Sequence, residues 1–251
     1  MALMASNSGA SAAPAPGYEA FAGCPKAPNV PFCMRSDTTA GHLKIGSTDT
    51  PINKTIVLSG GLRVPDTHVV FNADGGLKHD PLEVPGGLSG LTGLSEFLIN
   101  LITFGANRVY AQSVLVGDPV QSGSNLVLPL KVNLLNPFLR SGCGIGSAAN
   151  PITLNLTTGT TAPPPPAKPI TGRPADGMPD PKNPNITLIP DIKFVDNAFA
   201  APAASGCDLI GLGLINGLVN ARAGLPSPAG KNEAILDHTD IRLVSPLLVW
   251  P

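Results

Sequence analysis

NLVLPLKVNLL, residues 125–135, decides the fold class. Leu126, Leu128, Leu130 and Val132 occupy alternate positions, with Val127, Pro129 and Lys131 between them. A period of two places the first four on one face of a strand. Pro129 removes a ladder donor, so the pattern predicts an edge strand or a bulge. Asn136-Pro137 then opens a turn. PITLNLTT, residues 151–158, repeats the alternation with Ile152, Leu154 and Leu156.

Working outward, residues 42–58 give two strand-like runs around a turn at Asp49-Thr50-Pro51, and Gly60-Gly61 ends the second. His68–Asn72 is a short strand stopped by Asp74-Gly75-Gly76. Val109–Val116, Asn185–Ile192, Lys193–Phe199, Thr239–Val244 and the tail Pro246–Pro251 read as further strands, for a total of roughly eight to ten.

Two segments change period. Leu91, Leu94, Leu98, Leu101 and Ile102 recur at spacings of three and four, which predicts a helix at about 93–104. Ser95 is its candidate N-cap and Gly105 its stop. Asp208–Ala223 is the second helix, with Leu209, Leu212, Ile215, Leu218 and Val219 on one face and Asp208 as cap.

Composition sets the frame around these elements. The 251 residues include 28 glycines and 28 prolines, which excludes a helical bundle or coiled coil. Charged residues are 13% and net charge is −1. That excludes a phosphate-driven nucleic-acid binder. No uncharged apolar run reaches the roughly 18 residues that a transmembrane helix needs. Residues 1–20 read as a signal-peptide remnant or disordered tail, with Ala10-Ser11-Ala12 as a small-residue cleavage site. Residues 21–251 read as a single β-rich domain, interrupted by a Pro-rich loop at 159–184 with polyproline II at Pro163–Pro166. The expected fold is mainly β, a disulfide-stapled β-sandwich or jelly-roll-like domain with two short apolar helices.

Four cysteines in an exported chain suggest two disulfides. Cys24 and Cys33 bracket a short proline-rich loop. Cys143 and Cys207 sit in matching Ser-Gly-Cys contexts. The expected pairs are therefore Cys24–Cys33 and Cys143–Cys207. Zinc would require a C-x2-C pair or nearby histidines, and the sequence has neither.

Catalytic signals are weak. Gly87-Leu88-Ser89-Gly90-Leu91 misses a nucleophile elbow by one position, so Ser89 reads as a turn residue. His42, His68, His79 and His238 have no metal-binding spacing. Asn72–Gly76 and Asp176–Asp180 resemble fragments of a calcium loop without the remaining ligands, and read as turns. No dinucleotide or Walker motif occurs. The sequence assigns no catalytic, cofactor-binding or metal residue, and the chain reads as leaning away from an enzyme. Asn53, Asn155 and Asn185 begin glycosylation sequons, which matter only in a eukaryotic host.

Three stretches carry a family resemblance. They are Pro51–Thr55 with the Gly60–Leu62 end; Val132–Leu139 leading to Cys143–Ser147 and Pro151–Thr161; and Val195-Asp196-Asn197 through Ser205-Gly206-Cys207 to Gly224–Gly230. Together they resemble a group of uncharacterised secreted proteins of actinobacteria. The resemblance spans most of residues 20–240. It implies export, an outer-surface setting and the same cysteine pairing, and it transfers no activity.

The leading expectation is a secreted, non-enzymatic protein of the cell surface or extracellular matrix, acting by self-assembly or by binding another surface protein. Alternatives are a carrier of an apolar, lipid-like ligand held between the sheet and the two helices, and a hydrolase with a dispersed site. The two apolar helices must cover the chain's own sheet, a ligand or a neighbouring subunit.

Overall fold

The computed structural model describes residues 13–208 and 214–251. The first strands are β1 (Phe32–Ile45), β2 (Thr48–Pro51) and β3 (Ile56–Leu62), followed by the short β4 (Val69–Val70), β5 (Gly76–Lys78) and β6 (Leu82–Val84). Helix α1 (Leu94–Ile102) precedes β7 (Val109–Leu115), β8 (Val120–Ser122) and β9 (Asn125–Leu135). Then come β10 (Gly144–Ile145), β11 (Ile152–Thr157), β12 (Met178–Asp180), β13 (Asn183–Asp196) and β14 (Ala204–Ser205). Helix α2 is described over Leu214–Ala223, and β15 (Glu233–Val244) and the one-turn α3 (Pro246–Val249) complete the order.

The fold is mainly β and its strands form one antiparallel sheet. The central order is β9-β11-β13-β15-β1-β3-β4. The sheet curls until its ends meet. Val69 N–H donates to the Pro119 carbonyl at 2.8 Å and Gln121 N–H to the Thr67 carbonyl at 2.9 Å, joining the β4 side to β8. β8 in turn pairs with β9. Farther along, Ser113 N–H of β7 donates to His79 Nε2 at 3.0 Å, just beyond β5. The two halves of the curled sheet face each other across the core in a sandwich-like arrangement.

The alternation in β9 faces as expected, with Leu126, Leu128, Leu130 and Val132 all buried. Pro129, however, does not mark an edge. β9 is flanked by β7 and β8 on one side and by β10 and β11 on the other. The Pro129 carbonyl accepts from Val116 N–H at 3.0 Å. Amide and carbonyl of one residue point to the same side of an antiparallel strand. The missing donor therefore falls where β7 gives way to β8, and no ladder bond is lost.

Three other expectations shift. The hairpin turn lies at Gly46-Ser47, since Ile45 pairs with Thr48, and Gly46 takes φ +59°. Asp49, Thr50 and Pro51 are strand residues instead. The tail Pro246–Pro251 begins as α3 rather than a strand: Ser245 caps it and Pro246 fills the first turn, where no N–H is needed. Part of the expected tail at 1–20 is packed into the fold. Ala15 N–H donates to the Val249 carbonyl, and Tyr18 is buried. Ala10-Ser11-Ala12 lies outside the described residues. The Pro-rich stretch 159–184 is tied down by bridges between Thr160 and Thr171 and between Arg173 and Lys193, and by β12 pairing with β13.

Two hydrophobic clusters fill the interior. At one end of the β1–β15 ladder, where Cys33 pairs with Val244, Tyr18, Phe21, Val30, Val249 and Trp250 pack around the Cys24–Cys33 disulfide. The larger cluster fills the rest of the curled sheet and contains Cys143–Cys207. That second bridge links residues 64 apart, a loop whose closure contributes about 4 kcal/mol in the chain-entropy model. At mid-ladder, the buried hydroxyls of Thr38 and Thr239 bond each other at 2.9 Å.

Arg242 ties three strands together. It lies 3.0 Å from Asp180 of β12, 3.2 Å from Asp37 of β1 and 3.6 Å from Asp240. The Asp180 carboxyl is held below its ordinary value of 3.8, first by the N–H of Lys182 and also by Arg242, against the opposing effect of burial. A carboxyl lowered in the folded state contributes stability above its unfolded pKa, and that stability is lost as pH falls through the folded value. Asp196, whose carboxyl burial pushes up, acts with the opposite sign. The difference between wild type and Asp180→Asn therefore isolates Asp180. Urea midpoints should show the variant less stable by about 1 kcal/mol at pH 7, with the gap narrowing as pH drops below about 4.

Gly41 bends β1. It takes φ +122°, and a Cβ there would collide with the Ile235 carbonyl. Gly41→Ala should lower stability by at least about 1 kcal/mol, read as a lower thermal midpoint with native-like circular dichroism below it.

Candidate functional site

The inner faces of the strands at the far end of the ladder surround a cavity of about 320 Å3. The period of two supplies its wall. β7 contributes Val109, Ala111 and Ser113; β9 contributes Leu128, Leu130, Val132 and Leu134; β1 contributes Leu43 and Ile45; β15 contributes Ala234 and Leu236. β2 adds Thr48 and Thr50, and β6 adds Leu82 and Val84. The room comes from small inward residues, since alanine, serine and threonine stand where leucine would close the core.

Helix α2 lies over this space with Ile215, Val219, Arg222 and Ala223. Its position is fixed from below. Cys207, held by its disulfide, donates its N–H to Asn216 Oδ1 at 2.9 Å. Asp208 Oδ1 accepts from Ile215 N–H at 2.8 Å, seven residues along the chain; the residues between them, where the helix expected from Asp208 would begin, lie outside the described residues. Leu209 and Leu212, expected on the same helical face, lie outside the described residues. The cavity opens between Phe138, which is 55% exposed, and Leu218, which is 63% exposed. Among the described lining residues the only charged side chain is Arg222.

Helix α1 stands beside this region and differs from its expected role. Gly93, not Ser95, occupies its N-cap position. Gly105 closes it, donating its N–H to the Asn100 carbonyl at 2.7 Å with φ +79°. None of its residues is buried. Leu94, Phe97, Leu101 and Ile102 are each more than 60% exposed, so this apolar face does not cover the chain's own sheet.

The candidate chemical residues do not converge. Ser89 Oγ donates to the Gly86 carbonyl and its N–H to Asn107 Oδ1, the contacts of a turn. His42 meets Glu233 Oε1 at 2.9 Å, His68 meets Asp66, and His238 meets Asp191 at 2.7 Å. No histidine lines the cavity among the described residues. Asp74 belongs to a turn in which its N–H donates to Asn72 Oδ1. Asn53, Asn155 and Asn185 are exposed.

Asp191, Asp237 and His238 come within ligand-sharing distance of one another. Arg173 already bonds both carboxylates at 2.8 Å. Its fixed charge fills the place a cation would take. Asp191 lies below the ordinary carboxylate value, chiefly through its hydrogen bond with His238 and also through Arg173. These groups pin the irregularity where β13 and β15 slip register between Ile189 and Ile192.

No family model matches this chain, and neither does any curated protein or solved structure. The cavity itself was not readable from the sequence. The signal for it, small residues at inward positions on several strands, acquires meaning only once the sheet curls.

Ala111→Leu adds inward bulk at this wall. It should stabilise the unliganded chain by about 0.5–2 kcal/mol, seen as a higher thermal midpoint. A drop would show that the wall is already close-packed there.

Proposed function

We propose that this protein is an exported carrier or binder of an apolar, lipid-like ligand, held between the curled sheet and helix α2. The observation that carries this reading is the apolar cavity with its mouth at Phe138 and Leu218. Its volume sits at the lower end of the range for small-molecule pockets, roughly 300–1,000 Å3. Apolar walls left facing water forgo burial that would contribute about 25 cal/mol per Å2. An apolar guest supplies that burial. Two disulfides support an oxidising compartment. The resemblance to secreted actinobacterial proteins supports export as well. No described helix is long and apolar enough to cross a membrane.

Self-association is the second reading, favoured by α1. Its exposed leucine, phenylalanine and isoleucine side chains form an apolar face suited to a second copy of the chain. A net charge of −1 gives little repulsion against it.

Native mass spectrometry of the purified protein separates these readings. A monomer that gains mass with a neutral apolar probe, N-phenyl-1-naphthylamine, and loses that gain in Ala111→Leu is the expected result. Multiples of the chain mass with no probe uptake would replace the carrier reading with self-association.

A further inference from the structure

Two arginines hold no carboxylate among the described residues, Arg140, which is exposed, and Arg222, which is not. Arg35, Arg63, Arg173 and Arg242 each hold a carboxylate within 4.0 Å. Arg222 holds none among the described residues, although it is half-buried at the edge of an otherwise uncharged cavity. Its Nε is buried and lacks a hydrogen-bond partner. Glu96, the acid of the neighbouring helix, is engaged elsewhere, accepting from Gly86 N–H at 2.8 Å.

The surrounding backbone makes room for the guanidinium. A Cβ on Gly90 would strike its Nε, and a Cβ on Gly86 would stand 2.9 Å from a terminal nitrogen. Both glycines have positive φ, +80° at Gly86 and +75° at Gly90. The 86–90 loop therefore lets a long cationic side chain lie flat beside Leu88, which lines the same cavity. A guanidinium is always charged at physiological pH and presents a fork that matches an oxyanion. Leaving a half-buried fork unpaired is unfavourable, and an anionic partner corrects it.

We infer that Arg222 receives the anionic head of an amphiphile whose hydrocarbon chain fills the cavity, so that the ligand is a lipid-like carboxylate or phosphate rather than a neutral hydrocarbon. This inference rests on the carrier reading and specifies its ligand class. The polar atoms of Thr48, Thr50 and Ser113 in the wall carry no charge and cannot replace it.

The test is displacement of N-phenyl-1-naphthylamine from the full chain at pH 8 by three ten-carbon competitors: decanoate, decyl phosphate and decanol. At least one of the two anions should bind tenfold or more tightly than decanol, and which one does so identifies the head group. In Arg222→Gln that preference should vanish while decanol affinity stays within twofold, and Arg222→Lys should retain part of it. The anion preference should also shrink with added salt in the wild type, a readout that does not depend on the variant's folding. Equal affinity for all three with normal probe binding would overturn the head-group inference and leave the carrier reading standing. No probe or competitor binding would overturn both.

Discussion

The long β1–β15 ladder is the constraint on which the rest of the structure depends. It runs in register from Cys33 opposite Val244 to Lys44 opposite Glu233. Every inward position on these strands is set by that pairing, because a slip of one residue would turn each inner face outward. Thr38 and Thr239 bond each other inside it. Arg242 locks the same register from outside by reaching Asp37 across the ladder and Asp180 beyond it. Gly41 permits β1 to pass close to the Ile235 carbonyl. Beyond that point Leu43 and Ile45 reach the cavity wall.

The two ends of the ladder are treated differently. One is closed by the 3-10 helix Glu19–Phe21, α3 and the Cys24–Cys33 bridge, with Phe21 and Val249 almost fully buried. The other is lined by leucine, isoleucine and valine interspersed with a few small residues, and covered by α2. The buried cluster and disulfide at the first end anchor the domain while the second stays open. The Cys143–Cys207 bridge then limits how far the cover can move, because Cys207 and Asp208 both contact the start of α2.

Much of this was legible in the residues. The alternation at Leu126–Val132 and Ile152–Leu156 places those side chains in the core where they are found. The matching contexts of Cys143 and Cys207 point to the pair that the structure holds. What could not be read was long-range. Pro129 alone suggests an edge, and only the handover from β7 to β8 explains its place in a flanked strand. Periodicity at Leu94–Ile102 gives a helix but cannot say what its apolar face meets. Ser245-Pro246 was a local helix-start signal that the alternation of the preceding strand overshadowed.

Arg222 shows the same limit from the side of chemistry. In the sequence it is one basic residue near a helix end, where a cation is already accounted for by the helix dipole. Its meaning comes from three separate segments. The 86–90 loop supplies two glycines that leave space for the guanidinium. The strands supply a cavity wall with no charge of its own. Helix α2, held by Cys207 and Asp208, carries the side chain to the rim. A charge without a partner beside an apolar space is unfavourable on its own terms. It becomes favourable when one molecule brings both an anion and a hydrocarbon chain. That complementarity makes a single amphiphile a better occupant than a hydrocarbon or a free anion, either of which would leave half of the arrangement unsatisfied.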